Sequence, residues 1–164
     1  MLKLLVVDPQ NDFCDVPGAA LPVAGATADL QRLSRFIGAL QPDEITVTLD
    51  SHPSVAVERT SFWQQADGAA VAPFTFVTLA DVRAGTFVPR RRSLQGAVLA
   101  MMEKLALTGR DGIVVWPVHC VTGTWGHNIQ GDLMQSLNDW EFARQKAVHK
   151  VLKGEYFLTE DFCA

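Results

Sequence analysis

The sequence predicts an α/β protein built on a parallel, doubly wound sheet flanked by helices, and three observations carry that expectation. Short apolar runs rich in β-branched residues occur at Leu4–Val7 and Ile113–Trp116, and such runs read as strands buried on both faces. Between the strands lie stretches whose apolar residues fall three, four and seven apart, the spacing of a helix face. Strand and helix then alternate along the chain, the order that parallel sheets with right-handed crossovers require.

The first strand, Leu4–Val7, opens directly from the N-terminus, which is apolar but too short for a leader and is followed by no cleavage site. Leu30, Leu33, Phe36, Ile37 and Leu40 then share one helical face. Ile45–Leu49 alternates Ile, Thr, Val, Thr and Leu, which suits a strand with one well-buried face. Leu94, Ala97, Val98, Met101 and Leu105 mark a second helix, with Ser93 as its N-cap. Gly109 and Gly112 bracket the turn into Ile113–Trp116. Leu133, Met134, Leu137 and Trp140 mark a third helix, and Val148–Leu152 is a fourth, weaker strand. The stretch from Ala66 to Pro89 is rich in Ala, Gly, Pro and Thr without a sustained period, and reads as a long insertion into a single domain of residues 1–164.

Composition sets the class. The chain has 164 residues, 48% hydrophobic and 20% charged, as an ordinary globular domain does. A net charge of −4 argues against nucleic acid and anionic membrane as partners. The single basic run, Arg90-Arg91-Arg92, reads as a solvated loop or helix start. No stretch reaches the roughly eighteen apolar residues of a membrane span. Three cysteines without disulfide-like spacing point to a reducing compartment, so the cytoplasm is the expected location.

Ligands of open α/β sheets bind at the carboxyl ends of the strands. The first strand here runs into Asp8, the second into Asp50 and His52, and the third into His119. Asp50-Ser51-His52 has the two-residue spacing that points side chains the same way in extended chain. With His119 they make a two-His, one-carboxylate set suited to zinc, iron or manganese with positions left open. Spacing alone favours a plainer reading, a turn before Pro53. Asp8, where the strand ends among apolar neighbours, suits a general base or a turn residue. Asp12 is the better candidate for a local cap. Lys153 alone reads as a surface cation, His127 and His149 as surface or capping residues, and Cys14, Cys120 and Cys163 as buried small hydrophobes. Gly123-Thr124-Trp125-Gly126 is a tight turn without the pattern of a phosphate loop.

Several segments together resemble a known family. Leu5-Val6-Val7-Asp8-Pro9-Gln10-Asn11-Asp12-Phe13, Gly18-Ala19-Ala20-Leu21-Pro22-Val23, Thr48-Leu49-Asp50-Ser51-His52-Pro53 with Ser61-Phe62, Trp116-Pro117-Val118-His119-Cys120-Val121-Thr122-Gly123-Thr124, and Lys153-Gly154 with Glu160 and Phe162 occur in the order of the isochorismatase-like hydrolases, a Rossmann-like fold. Among these they are most similar to the nicotinamidase branch. That resemblance implies a cysteine hydrolase that converts nicotinamide or a related small carboxamide to acid and ammonia. It implies Asp8 as general base, Lys153 as the group that sets protonation states, and Asp50, His52 and His119 as ligands of a zinc, iron or manganese ion that holds the ring nitrogen. Phe13 and Trp116 would flank the aromatic ring and Leu21 close the pocket, leaving the carboxamide to react. Assembly into a homo-oligomer is expected only by analogy of fold.

The sequence departs from the pattern in two respects. Where many relatives have a further metal-segment histidine, this chain reads Val57-Glu58-Arg59-Thr60, so that Glu58 or Arg59 stands in its neighbourhood. The family's nucleophilic cysteine follows the lysine motif on a later strand-to-helix turn, and neither Cys120 nor Cys163 matches its motif. The expectation is a fragment whose nucleophile lies beyond Ala164, the C-terminal part of the sheet being absent. Two other readings stand beside it: another isochorismatase-like acyl hydrolase, and a non-catalytic metal- or ligand-binding module or split subunit.

Overall fold

A computed structural model describes residues 1–159. Glu160, Phe162 and Cys163, singled out from the sequence, lie outside the described residues. The elements follow in the order β1 (Lys3–Val7), α1 (Ala26–Leu40), β2 (Glu44–Asp50), β3 (Trp63–Gln65), β4 (Thr75–Thr78), α2 (Leu79–Ala84), β5 (Phe87–Pro89), α3 (Gln95–Leu107), β6 (Gly112–Val115), α4 (Gly131–Arg144) and β7 (His149–Lys153). They belong to two compact units, one formed by Met1–Ser51 with His119–Lys153, the other by His52–Val118 with the segment that starts at Gly154.

The first unit is the expected parallel sheet with helices against it, in strand order β1-β2-β7. Alternation along β2 sends Ile45, Val47 and Leu49 to one face, where Val6 of β1 joins them. The helical spacing read from the sequence supplies the opposing layer, Leu30, Leu33 and Ile37 from α1 and Leu133, Leu137 and Trp140 from α4. Ile37, Val47, Leu133 and Leu137 are buried, and each such side chain stabilises the unit by roughly 1.5–3 kcal/mol. Truncating Leu137 to alanine would cost about 2–5 kcal/mol by transfer and cavity terms together. Trp140 brings a polar handle into this core and satisfies it, its Nε1–H donating to the Pro42 carbonyl at 2.9 Å. The helix α1 stops at Gln41, whose left-handed backbone (φ 44°) turns its N–H onto the Ile37 carbonyl. On the opposite face of β1, Leu5 and Val7 are 62% and 64% exposed.

Registers matter for the site. Val7 of β1 stands beside Thr48, and Asp50 stands beside Lys153 of β7. The polar residues that follow the apolar strand cores are thus brought to one end of the sheet.

The second unit differs from the sequence expectation in three places. Ile113–Trp116 was expected in the parallel sheet, but β6 pairs antiparallel with β4 in a sheet of two strands. A short apolar run reveals burial, not the direction of its partner. The pairing depends on Gly112, where a Cβ would meet the Val77 carbonyl at 2.6 Å. The stretch Ala66–Pro89 carries β4, α2 and β5. Its helix starts at a capping box, Thr78 accepting from the Asp81 N–H while the Asp81 carboxylate accepts from Thr78, which satisfies two otherwise orphaned donors. Ser93 does not cap α3: a 3-10 turn, Arg92–Leu94, precedes the helix, and the Ser93 hydroxyl accepts from Arg91 Nε at 3.1 Å. Val57, Phe62, Trp63, Val77, Val98, Met102 and Ile113 make this unit's core. The three arginines Arg90–Arg92 are exposed, as a solvated run should be. No helix of the described residues is long and apolar enough to cross a membrane.

Candidate active site

The site begins where β1 leaves the sheet. Asp8 takes a left-handed backbone (φ 48°), uncommon for a residue with a side chain. Its N–H still donates to the Thr48 carbonyl at 3.1 Å, as a strand residue would. The turn then brings its carboxylate to Thr48, whose hydroxyl donates to Asp8 Oδ1 at 2.7 Å. The other oxygen, Oδ2, lies 2.8 Å from Lys153 Nζ.

Lys153 also contacts Asp50 Oδ1. The three side chains are 12–18% exposed, so the surface reading of Lys153 does not hold. Burial works against the charge on Lys153, but hydrogen bonds to Asp50 and Asp8, with the charges of both, outweigh it and raise its pKa above the usual lysine value. An ammonium group therefore stands between two carboxylates.

His119 is 5% exposed, and its Nε2 lies 3.8 Å from Asp50 Oδ2. The Phe13 ring meets the His119 ring edge-on, with centroids 5.5 Å apart. Leu21 doubles back on the same turn, its N–H donating to the Asp12 carbonyl at 3.0 Å. A cleft of about 330 Å³ opens beside Asp8 and is lined also by Gln10, Phe13 and Cys14. Asp8, Asp50, Lys153, His119 and Phe13 are thus brought together within the first unit.

His52 and Trp116 belong to the second unit. His52 is 1% exposed, and its Nδ1 lies 3.1 Å from the Gly154 carbonyl. A carbonyl can only accept, so Nδ1–H is the donor in this contact. Trp116 packs edge-on against Phe74, centroids 5.8 Å apart. Glu58 and Arg59 are both buried and contact each other at 3.4 Å, so the Glu58 carboxylate faces a guanidinium.

Four residues gain roles that sequence reasoning missed. Gln10, fully buried, donates from Nε2 to the carbonyls of Asp50 (2.7 Å) and His127 (2.9 Å) and accepts the Asp50 N–H at 2.8 Å. Asp12 is no local cap: its carboxylate accepts from Cys120 N–H at 2.7 Å and from Ala20 N–H at 3.0 Å. Thr48 holds Asp8, and its place two residues before Asp50, on the same strand face, was a usable signal. His127, read as a surface or capping residue, has Nε2 2.9 Å from the Ser51 hydroxyl. Cys14 and Cys120 are buried, as expected. Burial and the neighbouring Asp15 charge push the Cys14 thiol up.

No family model matches the chain, and no curated protein matches it in sequence. Solved structures do. The yeast nicotinamidase superposes with a TM-score of 0.61 at 24% identity, over 99% of this chain and 63% of that one. The yeast nicotinamidase bound to the inhibitor nicotinaldehyde gives 0.63, with the same identity and coverage. A nicotinamidase/pyrazinamidase from Acinetobacter baumanii gives 0.57 at 22% identity, over 95% of this chain and 53% of that one. This chain spans less than two thirds of the length of each. It is an α/β protein with acid, lysine and imidazole groups gathered at its strand ends. Its fold is that of the nicotinamidase structures.

Proposed function

We propose that the protein containing this chain is a metal-dependent amidase of the nicotinamidase family, converting nicotinamide or a related small carboxamide to the acid and ammonia. The observation that carries the reading is Lys153 in contact with both Asp8 and Asp50. A buried cation between two carboxylates adds little to stability for its own sake, and such clusters concentrate at functional sites.

Asp50, His52 and His119, each buried, offer a carboxylate oxygen and two imidazole nitrogens, a donor set that could hold a divalent ion. Zinc, iron and manganese suit it. The His52 Nδ1–H on a backbone carbonyl fits a ligand whose outer nitrogen is fixed and whose other nitrogen coordinates. A bound ion would supply Lewis acidity and hold a heteroatom of the substrate.

The chain's own residues account for the proton movements. Asp8, oriented by the Thr48 hydroxyl and Lys153, takes the proton of a cysteine thiol as its sulfur attacks the amide carbon. It returns that proton to the nitrogen as the C–N bond breaks, so ammonia leaves and a thioester remains for water to hydrolyse. Lys153 keeps its charge beside Asp8 throughout. Phe13 and Trp116 would bound the ring, with Leu21 at the mouth. The attacking thiol belongs beyond residue 164 in this reading.

Among the described residues the cysteines, Cys14 and Cys120, are buried, which favours a second reading, a metal- or ligand-binding module or a subunit completed by a partner. Ammonia release from nicotinamide decides between them. The amidase reading expects release by protein made from the complete reading frame, abolished by His119→Ala. No release from that protein, with metal bound, would leave the binding module.

A further inference from the structure

The way β1 ends poses a hydrogen-bonding problem for Asp50. A parallel ladder would continue from the Asp8 N–H bond to Thr48 by joining the Asp50 N–H to the Asp8 carbonyl and the Asp50 carbonyl to the N–H of residue 10. Neither bond forms. Asp8 turns left-handed, Pro9 has no N–H, and the Gln10 N–H folds back on the Asp8 carbonyl at 2.8 Å. Asp50 is 9% exposed, so its backbone groups need partners or carry a desolvation cost of about 1–3 kcal/mol each.

The Gln10 side chain supplies both missing bonds. Its Oε1 accepts the Asp50 N–H and its Nε2 donates to the Asp50 carbonyl, at 2.8 and 2.7 Å. The second Nε2 hydrogen reaches the His127 carbonyl at 2.9 Å. The His127 ring is in turn 2.9 Å from the hydroxyl of Ser51, the next residue after Asp50. One side-chain amide thus stands in for the next residue of β1, and it fixes the backbone on which the Asp50 carboxylate is mounted. Only an amide of this length offers a donor and an acceptor side by side at that reach. Glutamate would lack the donors, methionine both functions, and asparagine a methylene.

We propose that Gln10 is the positioning residue for Asp50, setting the aim of that carboxylate toward a divalent cation. The inference rests on the metal reading of Asp50, His52 and His119. Outer-shell partners of metal ligands typically matter by about 10–100-fold in metal affinity, and a residue that replaces two ladder bonds belongs in that range.

The test uses the full chain with Zn2+ or Mn2+ alone as probe, titrated calorimetrically into wild type and Gln10→Met, with backbone amide exchange at Asp50 followed in both. Expected are an Asp50 amide that exchanges faster in Gln10→Met and a cation affinity lower by about 10–100-fold. A folded Gln10→Met protein with wild-type affinity would overturn the proposal, because a purely structural role would lower the melting temperature and leave the affinity unchanged. Should Gln10→Met not fold, the wild-type Gln10 side-chain amide decides: slow exchange of its protons supports the proposal, and exchange at the rate of an exposed glutamine overturns it. Absence of uptake of either ion by wild type would instead sink the metal reading itself, an outcome seen before any variant is made.

Discussion

The Lys153 ammonium lies 2.8 Å from the Asp8 carboxylate and also contacts Asp50. Asp8 follows β1, Asp50 closes β2 and Lys153 closes β7, so a single cation ties together the ends of all three parallel strands. Removing it leaves two carboxylates facing each other with little water. Lys153→Met is expected to destabilise the protein by about 3 kcal/mol, as loss of one partner of a buried ion pair does. Urea denaturation measures this. A double-mutant cycle with Asp8→Asn should show coupling, and strictly additive losses would mean that the contact contributes nothing.

Gly126 is held against the Asp12 carboxylate, where a Cβ would come within 2.0 Å of Oδ2. Asp12 cannot give way without releasing the N–H groups of Cys120 and Ala20. Gly126→Ala should therefore cost about 2–3 kcal/mol, the upper part of the usual overpacking range. A thermal midpoint equal to that of wild type would show that the loop adapts freely.

Metal binding should register as stability. A ligand held only by the folded state adds about 2.7 kcal/mol at a hundred times its dissociation constant. Dialysis against a chelator should lower the melting temperature and Zn2+ should restore it. His52→Ala and His119→Ala should each lose that response. Either variant responding like wild type would remove that histidine from the set.

Acid should weaken the first unit through Asp43. The Leu2 N–H donates to its carboxylate at 2.8 Å; this outweighs an opposing burial cost, the N-terminal charge and Arg144 add to it, and the pKa is lowered. A carboxyl with a folded pKa below its unfolded value of about 3.9 contributes stability above that pH and loses it as pH falls through the folded pKa. Asp43→Asn should thus reduce the melting temperature near neutral pH, and the difference from wild type should shrink as the pH falls below about 3.9. Equal effects at neutral and at acid pH would show that the charge plays no part.

Thiol chemistry should respect burial. Cys14 and Cys120 are 1% and 0% exposed, and the raised pKa of the Cys14 thiol slows its attack further. Peptide mapping after iodoacetamide treatment should find both unmodified in native protein and modified after denaturation. Rapid native labelling of Cys120 would contradict the packing of the loop beside His119.

The strands that carry this site were legible locally, while the roles of Lys153 and of the Asp50–His52 pair came from the family resemblance. Asp8, Asp50 and Lys153 each stand at the end of a strand the sequence marks, Leu4–Val7 by its apolar run, Ile45–Leu49 by alternation and Val148–Leu152 more weakly, each within a residue of its bounds. Leu30, Ile37, Leu133 and Leu137 gave two helices by spacing alone. What stayed hidden depends on chain segments far apart. The Gln10 bond to His127 crosses 117 positions and the Asp12 bond to Cys120 crosses 108, and no local pattern reports either. The direction of β6 was hidden for the same reason: its partner Thr75–Thr78 lay in a stretch whose Ala, Gly and Pro content masked a four-residue alternation. The Thr78–Asp81 capping box inside that stretch was readable and marks a helix that periodicity over six residues could not reveal.

The exposed face of β1 has a practical consequence. Leu5 and Val7 stand in solvent on a strand that pairs with only β2 among the described residues, and its one charged residue, Lys3, is engaged by Glu44 at 2.7 Å. Such an edge offers backbone hydrogen bonds and apolar contact to any extended chain it meets, its own copies included. The shelf life of residues 1–164 in a concentrated stock will therefore be governed by colloidal behaviour at this strand, and a lysine substituted for Leu5 will keep the solution clear for longer.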